Sequence, residues 1–217
     1  VVVSDDYGNS SNVLRFSFSS GEKFTWNDAV LYFTFTDRFA NGDLDNDGPA
    51  VHKDLKWQAN YHGGDFKGIT DKIEEGYFEK LGVNTLWLSP LNRNPETAYQ
   101  ECEEPFRYYT GYHGYWPVSA VEVEPRFGTP DELKKLVTTA HSKGMRILAD
   151  VVLNHVHEEH SFWKEHRDWF GRLELPDGRK NLRLWDEHPY TTWFEPFLPS
   201  VDFGNPEATA ALIANTI

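Results

Sequence analysis

The chain has 217 residues, enough for one large domain or two small ones, and a formal net charge of −13. That charge speaks against a nucleic-acid footprint and against docking on an anionic membrane surface. No run of 18 apolar residues is present to span a bilayer, and the single Cys102 excludes an internal disulfide while leaving the redox compartment undecided.

Residues 1–23 read as a separate piece. Asn12-Val13-Leu14-Arg15-Phe16-Ser17-Phe18-Ser19 alternates like a strand with one face outward, the tail of a preceding β domain or an edge strand. The sequence opens at Val1 with neither an initiator Met nor a signal peptide and stops at Ile217, so either end is open to trimming. Ala29–Phe35 is apolar nearly throughout and predicts a strand buried on both faces. Thr70 is placed to cap a helix in which Ile73, Tyr77 and Leu81 share a face and Gly82 ends the run. Val83–Leu88 predicts a second strand, stopped by Ser89-Pro90 and followed by a long aromatic loop. Thr129-Pro130-Asp131-Glu132 is a helix start with a capping box, Leu133, Leu136, Val137 and Ala140 form its buried stripe, and Gly144 ends it. Arg146-Ile147-Leu148-Ala149 is a third short strand. Residues 156–204 hold Pro, Trp and charge without a clear period, and Asn205-Pro206-Glu207 starts another helix. Strands linked by helices in this order form right-handed parallel units, as in the first part of a (β/α) barrel or an open doubly wound sheet. No glycine-rich phosphate loop follows any strand, which weighs against nucleotide binding.

Three constellations carry candidate chemistry. Asn41-Gly42-Asp43-Leu44-Asp45-Asn46-Asp47-Gly48 supplies the hard oxygen donors that Ca²⁺ takes six to eight at a time. It matches the opening of an EF-hand loop, but Pro49 follows directly and Asp54 stands at the twelfth position. Gly63-Gly64-Asp65 is placed to close the same ion, and a solvated acidic turn is the alternative. Gly111-Tyr112-His113-Gly114-Tyr115-Trp116 lies after the second strand, so it shares an edge with Asp150 and His155 past the third. Two glycines that bend the backbone under three rings and an imidazole suit a sugar platform, or a packed aromatic turn. Finally, His155-Val156-His157 with His160 is the kind of set that holds a transition metal at a strand end, against a simply solvated loop. There is no Gly-x-Ser-x-Gly elbow, and Cys102 has no activating context.

Together these stretches resemble the α-amylase family of glycoside hydrolases, most of all its cyclodextrin glucanotransferase and maltogenic amylase branch. Asp150-Val151-Val152-Leu153-Asn154-His155 resembles the family's first signature region on the third barrel strand. Thr36–Asp43 resembles the end of its first strand and its calcium loop. Tyr112–Trp116 resembles its substrate loop, and Gly82–Pro90 its second strand. The resemblance covers roughly residues 24 to 217 with the motifs in the family's order.

The resemblance implies an α/β fold: the N-terminal part of a (β/α)8 TIM barrel, about three strands, with a small domain inserted after the third. Residues 24–156 become the first three units, 157–204 the inserted domain, and 205–217 the start of the next helix. Tyr115 is implied to stack under the sugar before the cleaved bond, and His113, Trp116, Asp150 and His155 to bind that ring or its neighbours. Asn41, Asp43, Asn46, Asp47, Gly63 and Asp65 are implied to hold Ca²⁺, and Asn154 a second calcium. Ser200, in Leu198-Pro199-Ser200-Val201-Asp202, stands where many members carry that second site's Asp.

The family's nucleophile Asp, on its fourth strand, and acid/base Glu, on its fifth, find no counterpart, and both are expected beyond Ile217. Retaining cleavage needs two carboxyls about 5 Å apart, so the chain as written is expected to be inactive alone. The expectation is therefore the N-terminal fragment of a calcium-binding, retaining glycosidase or transglycosylase acting on α-1,4-linked glucans such as starch, maltodextrin or cyclodextrin. Its partners are an α-glucan and the rest of its own barrel, with no nucleic acid and no membrane span. A secreted or periplasmic location is implied, with a cytoplasmic one open. The alternatives are a non-catalytic amylase-like structural or transporter-partner domain, and a metal-dependent barrel hydrolase using His155 and His157.

Overall fold

The computed structural model describes residues 24–48 and 52–216. The strand expected over Asn12–Ser19 lies outside the described residues, as do Pro49 and Ile217. The described chain therefore ends within the last helix, and the expectation of a catalytic Asp and Glu beyond Ile217 concerns positions that lie outside it. The central element is a parallel sheet of three strands in the order β1 (Leu31–Thr34), β2 (Thr85–Leu88), β5 (Arg146–Ala149). β1 (Leu31–Thr34) leads into a single helical turn, α1 (Thr36–Phe39), and α2 (Phe66–Glu74) and α3 (Tyr77–Lys80) return the chain to β2 (Thr85–Leu88). A long loop carries a small antiparallel hairpin of β3 (Tyr99–Gln100) and β4 (Tyr108–Tyr109). Then come α4 (Pro130–Ser142), β5 (Arg146–Ala149), the short α5 (Ser161–Glu165) and α6 (Pro206–Thr216). This is the expected α/β architecture, the first strands of a TIM barrel with an excursion after the third.

α2 and α4 cover one face of the sheet. Phe66, Ile69 and Ile73 of α2, Leu86 and Leu88 of β2, and Leu136 and Ala140 of α4 make one buried cluster. The period of two in β2 sends Leu86 and Leu88 to the same side. The other face is open among the described residues. Phe33, Trp87 and Leu148 are in register across the three strands, and Leu31, Phe33 and Trp87 are 48%, 42% and 40% exposed. The expectation that the first strand is buried on both faces is therefore corrected: helices cover only one side of it here, and in a closed barrel the other side is the filled interior.

The helix expected from Thr70 starts earlier. Asp65 is its N-cap and accepts a hydrogen bond from Gly68 N at 2.6 Å. Thr70 lies inside α2, and its hydroxyl donates to the Phe66 carbonyl at 2.7 Å. Gly76, at φ 72°, breaks the helix before α3. That break shifts the phase, so Ile73 is buried while Tyr77 and Leu81 are exposed. α4 begins as expected: Glu132 N donates to Thr129 Oγ1 at 3.2 Å and Thr129 N donates to Glu132 Oε2 at 2.7 Å. α6 also starts where expected, with Asn205 Oδ1 accepting from Glu207 N at 2.9 Å.

The aperiodic excursion folds by threading back onto the strand exits. His157 N donates to Pro117 O at 2.9 Å, Val156 N to Pro199 O at 3.2 Å, Glu158 N to Phe197 O at 2.9 Å and Val201 N to Asn154 O at 2.9 Å. Three segments, the end of the aromatic loop, the exit of β5 and the closing Phe197–Val201 stretch, are thus laced through their main chains. Val156, Trp169, Phe170 and Val201 pack with Ala208 and Leu212 of α6 beneath them.

Candidate functional site: a cleft at the strand ends

Asp150 directly follows β5, and its N–H donates to Leu88 O at 3.0 Å, so it sits at the carboxyl edge of the sheet. Its Oδ2 accepts a hydrogen bond from the Tyr115 hydroxyl at 2.7 Å. His155 Nε2 lies 2.8 Å from the Tyr115 carbonyl. A carbonyl only accepts, so the proton is on Nε2, leaving Nδ1 to accept from Asn154 Nδ2 at 3.2 Å. His113 Nδ1 in turn accepts from Tyr115 N at 2.9 Å. Tyr115 is thus held at its hydroxyl, its carbonyl and its amide by three of the predicted site residues. Gly114 makes the turn possible: it has φ 85°, and a Cβ there would come within 2.2 Å of the Pro90 carbonyl.

Burial fixes the protonation of these groups. Loss of water, with the neighbouring His155 and Arg38, pushes the His113 imidazole down to about 3. Burial also lowers His155, against the opposing pull of its bond to Tyr115. Both rings are therefore neutral hydrogen-bonding groups at ordinary pH. The Tyr115 hydroxyl is pushed up to about 12, first by burial and then by its bond to the Asp150 carboxylate, so it stays a donor.

The resulting cleft has a volume of about 600 Å³. His113, Tyr115, Trp116 and His155 line one part of it. Trp116 is buried; it packs edge-on to His113 at 4.8 Å and to Phe197 at 5.0 Å while its backbone N–H donates to Asn94 Oδ1 at 2.9 Å. The far wall of the lining includes residues that sequence reasoning missed: Glu101 near the hairpin, and Arg183, Phe194 and Glu195 of the excursion. Asn94, fully buried beneath the aromatic loop, was missed as well. The available signal was the density of aromatic residues over 185–197, just ahead of the Leu198-Pro199-Ser200 motif.

The predicted calcium residues are brought together in a second place, off the end of β1. Asn41 Nδ2 donates to both Asp47 oxygens, at 2.9 and 2.8 Å. Gly63 stands against the same pair: a Cβ on it would meet Asp47 Oδ1 at 2.2 Å and Asn41 Nδ2 at 2.3 Å. Asp37 carries this strand exit, accepting from His62 N at 3.0 Å and pairing with Arg38 at 2.7 Å. Asp65 accepts from the Gly42, Asp43 and Gly68 amides, and Asp43 Oδ1 accepts from Asp45 N at 3.1 Å. Asn46 Oδ1 is buried without a hydrogen-bond partner among the described residues. An all-oxygen donor set with one orphaned buried acceptor fits a hard cation. The carboxylates as placed are tied to protein donors, and among the described residues no three His, Cys, Asp or Glu side chains converge on a metal position.

The histidines do not form a metal site. His155 is committed to Tyr115, His157 Nδ1 accepts from Glu159 N at 3.2 Å, and His160 Nδ1 accepts from Phe162 N at 3.0 Å. His157 packs edge-on to Tyr99 at 4.5 Å. The expectation of a hydrolase metal on His155 and His157 is corrected accordingly: His155 is spent on the distant Tyr115 carbonyl and His157 on a local turn, so the two rings do not converge. At the second calcium position, Asn154 is exposed and gives its carbonyl to Val201 N. Ser200 is buried, and its hydroxyl donates to the Thr192 carbonyl at 2.6 Å.

Residues 33–211 match the family model of the alpha-amylase catalytic domain. The chain belongs to the alpha-amylase family. Among its relatives, the periplasmic alpha-amylase of Escherichia coli is 40% identical over 135 residues, which are 61% of this chain and 20% of that protein. A cyclomaltodextrin glucanotransferase of Bacillus licheniformis is 38% identical over 128 residues, 58% of this chain and 17% of that protein. The structure superposes on an Anoxybacillus alpha-amylase with a TM-score of 0.70 and 32% identity, covering 89% of this chain and 38% of the other. It superposes on the Geobacillus thermoleovorans alpha-amylase, solved in complex with acarbose, with a TM-score of 0.65 and 31% identity, covering 89% and 37%. The chain thus spans about a fifth of the length of the curated relatives it matches.

Proposed function

We propose that this chain is the glucan-binding wall of a retaining glycosidase or transglycosylase acting on α-1,4-linked glucose chains. The observation that carries the reading is Tyr115, an aromatic ring held from three sides by Asp150, His155 and His113 at the carboxyl edge of the parallel strands, where barrel enzymes place their sites. Tyr115 offers a stacking face to the sugar before the scissile bond. The Asp150 carboxylate accepts sugar hydroxyls beside it, and the neutral His113 and His155 exchange hydrogen bonds without adding charge. Neutral and acidic groups beside rings, with the Arg183 charge already paired to Glu103 and Glu195, suit an uncharged polyol better than an anionic ligand. The acarbose complex of one structural relative points to the same ligand class.

Double displacement through a glycosyl-enzyme needs a nucleophilic and a proton-donating carboxyl about 5 Å apart. We assign that pair to the remainder of the whole protein, in line with the fraction of its relatives that the chain spans, and assign this chain alone no turnover. We further propose a calcium ion at the loop of Asn41, Asp43, Asn46 and Asp47 with Gly63 and Asp65. When bound, it would cross-link the exit of β1 to the cap of α2. The orphaned Asn46 Oδ1 supports it. A location outside the cytoplasm is supported by the periplasmic relative, and among the described residues no helix is long and apolar enough to cross a membrane.

The test is Tyr115→Ala in the whole protein. Turnover on starch oligomers falls while the melting temperature holds; an undiminished rate removes the role given to this ring.

A further inference from the structure

Beyond Tyr115, the excursion presents two more rings in sequence. Phe194 lines the cleft and is 47% exposed; Trp185 is 44% exposed. Their centroids are 6.3 Å apart with planes inclined at 44°. Exposed large rings side by side cost solvation free energy unless something covers them. We propose that Phe194 and Trp185 form a second sugar-stacking platform that extends the cleft, so that the excursion reads the length of a glucan chain. The inference rests on the α-glucan reading given above.

The chemistry fits this ligand class. An aromatic face takes the C–H face of a glucose ring, as a flat amphipathic surface does at wet interfaces. The axial linkage of an α-1,4-glucan bends the chain, so successive sugars are not coplanar, and two platforms inclined to each other suit such a chain. Glu101 also lines the cleft; its Oε1 accepts from Arg107 N at 3.0 Å, and its Oε2 has no hydrogen bond among the described residues, leaving an acceptor for sugar hydroxyls.

Arg183 is the positioning residue. Its guanidinium lies over the Phe194 ring at 4.8 Å, and its Nε donates to the Phe194 carbonyl at 3.0 Å. The same guanidinium pairs with Glu103 beside the hairpin and with Glu195, which is buried. Glu195 also accepts from Cys102 N at 2.9 Å. Arg183 itself has φ 53°, a conformation that a non-glycine residue holds only when its surroundings fix it. One face of Phe194 is thereby covered by the guanidinium and its backbone is fixed. The hairpin and the excursion are latched together at the point where the platform stands.

The experiment uses the whole protein and maltotriose through maltoheptaose. Trp185→Ala should lower the ratio of kcat/KM for maltoheptaose to that for maltotriose by about 3- to 10-fold, the scale of one aromatic stacking contact. Arg183→Gln should lower the same ratio, through KM rather than kcat. Trp185 is largely at the surface, so its variant keeps its melting temperature and decides the matter even where Arg183→Gln loses stability. A ratio that does not move in Trp185→Ala, or a loss equal at every chain length, overturns the platform. Tyr115→Ala separates the two readings. A loss at all lengths in Tyr115→Ala beside an unmoved ratio in Trp185→Ala keeps the glucan site and removes the platform. A length-selective loss in Trp185→Ala beside an unaffected Tyr115→Ala keeps the platform and removes the role of Tyr115.

Discussion

His157 makes the protein sensitive to acid in a way that can be worked out from its surroundings. The ring is fully buried among Tyr99, Trp116 and Phe197. Its Nδ1 is used by the Glu159 amide, and its Nε2 has no partner among the described residues. Burial pushes its pKa down to about 3, helped by the positive charge of neighbours such as Lys164. Because the folded-state value lies below the unfolded one, near 6.5, the unfolded chain takes the proton first. The stability contributed by the neutral ring is therefore complete above about pH 6.5, falls as the pH drops, and stops falling only below the folded value. At about pH 5 the loss is about 2 kcal/mol for this one ring. His160, also buried and lowered to about 4, adds a loss in the same direction and window. Together they remove a sizeable part of the roughly 5–15 kcal/mol by which a domain is stable. The assay is the denaturant midpoint of the whole protein between about pH 7.5 and 5, in the wild type and in His157→Phe. The variant gives up the bond to Glu159 at every pH and loses only its own share of the slope, since His113, His155 and His160 are lowered by burial as well. Parallel losses in both proteins, or a His157 imidazole titrating above about pH 6 by NMR, would refute the reasoning.

Three further outcomes are expected. Thr129→Ala removes one half of the capping box of α4 and lowers stability by about 1 kcal/mol, read from the same midpoint; no shift would mean that the cap contributes nothing. A chelator lowers the melting temperature of the whole protein, and Gly63→Ala, whose methyl collides with Asp47 and Asn41, abolishes that response; superimposable curves with and without chelator would count against calcium in this loop. Asp150→Asn brings the Tyr115 hydroxyl down from about 12, because the carboxylate that resists its ionisation is gone. Tyrosine-labelled NMR at alkaline pH reads this, and an unmoved titration would break the assigned pair.

The parts of the fold that could be read from the sequence are those whose causes are local. The capping box of α4 needs only Thr129, Pro130 and Glu132, and the short apolar runs of β2 and β5 declare themselves. The start of α2 was not legible in the same way, because Asp65 stood out as a possible metal ligand and its service as an N-cap went unread. The joint location of Tyr115, Asp150 and His155 followed from two loops leaving the same sheet edge. The far wall of the cleft did not follow: Arg183 meets Glu103 across 80 positions and Cys102 meets Glu195 across 93, and no periodicity announces such contacts. Trp116 shows a further limit, since its loop alone leaves a sugar platform and a packed aromatic turn both open until Phe197 arrives from the excursion to bury the ring.

The lacing of Pro117, Asn154–Glu158 and Phe197–Val201 is made of main-chain bonds, and this bears on how such a cleft diversifies. The segments that flank Trp116, His155 and Leu198 thus meet through bonds whose register is independent of side-chain identity. Phe194, Trp185 or Glu101 can be exchanged by mutation without moving Tyr115 or Asp150. The lining of the cleft can therefore drift along the excursion one residue at a time, while Tyr115 stays where it is.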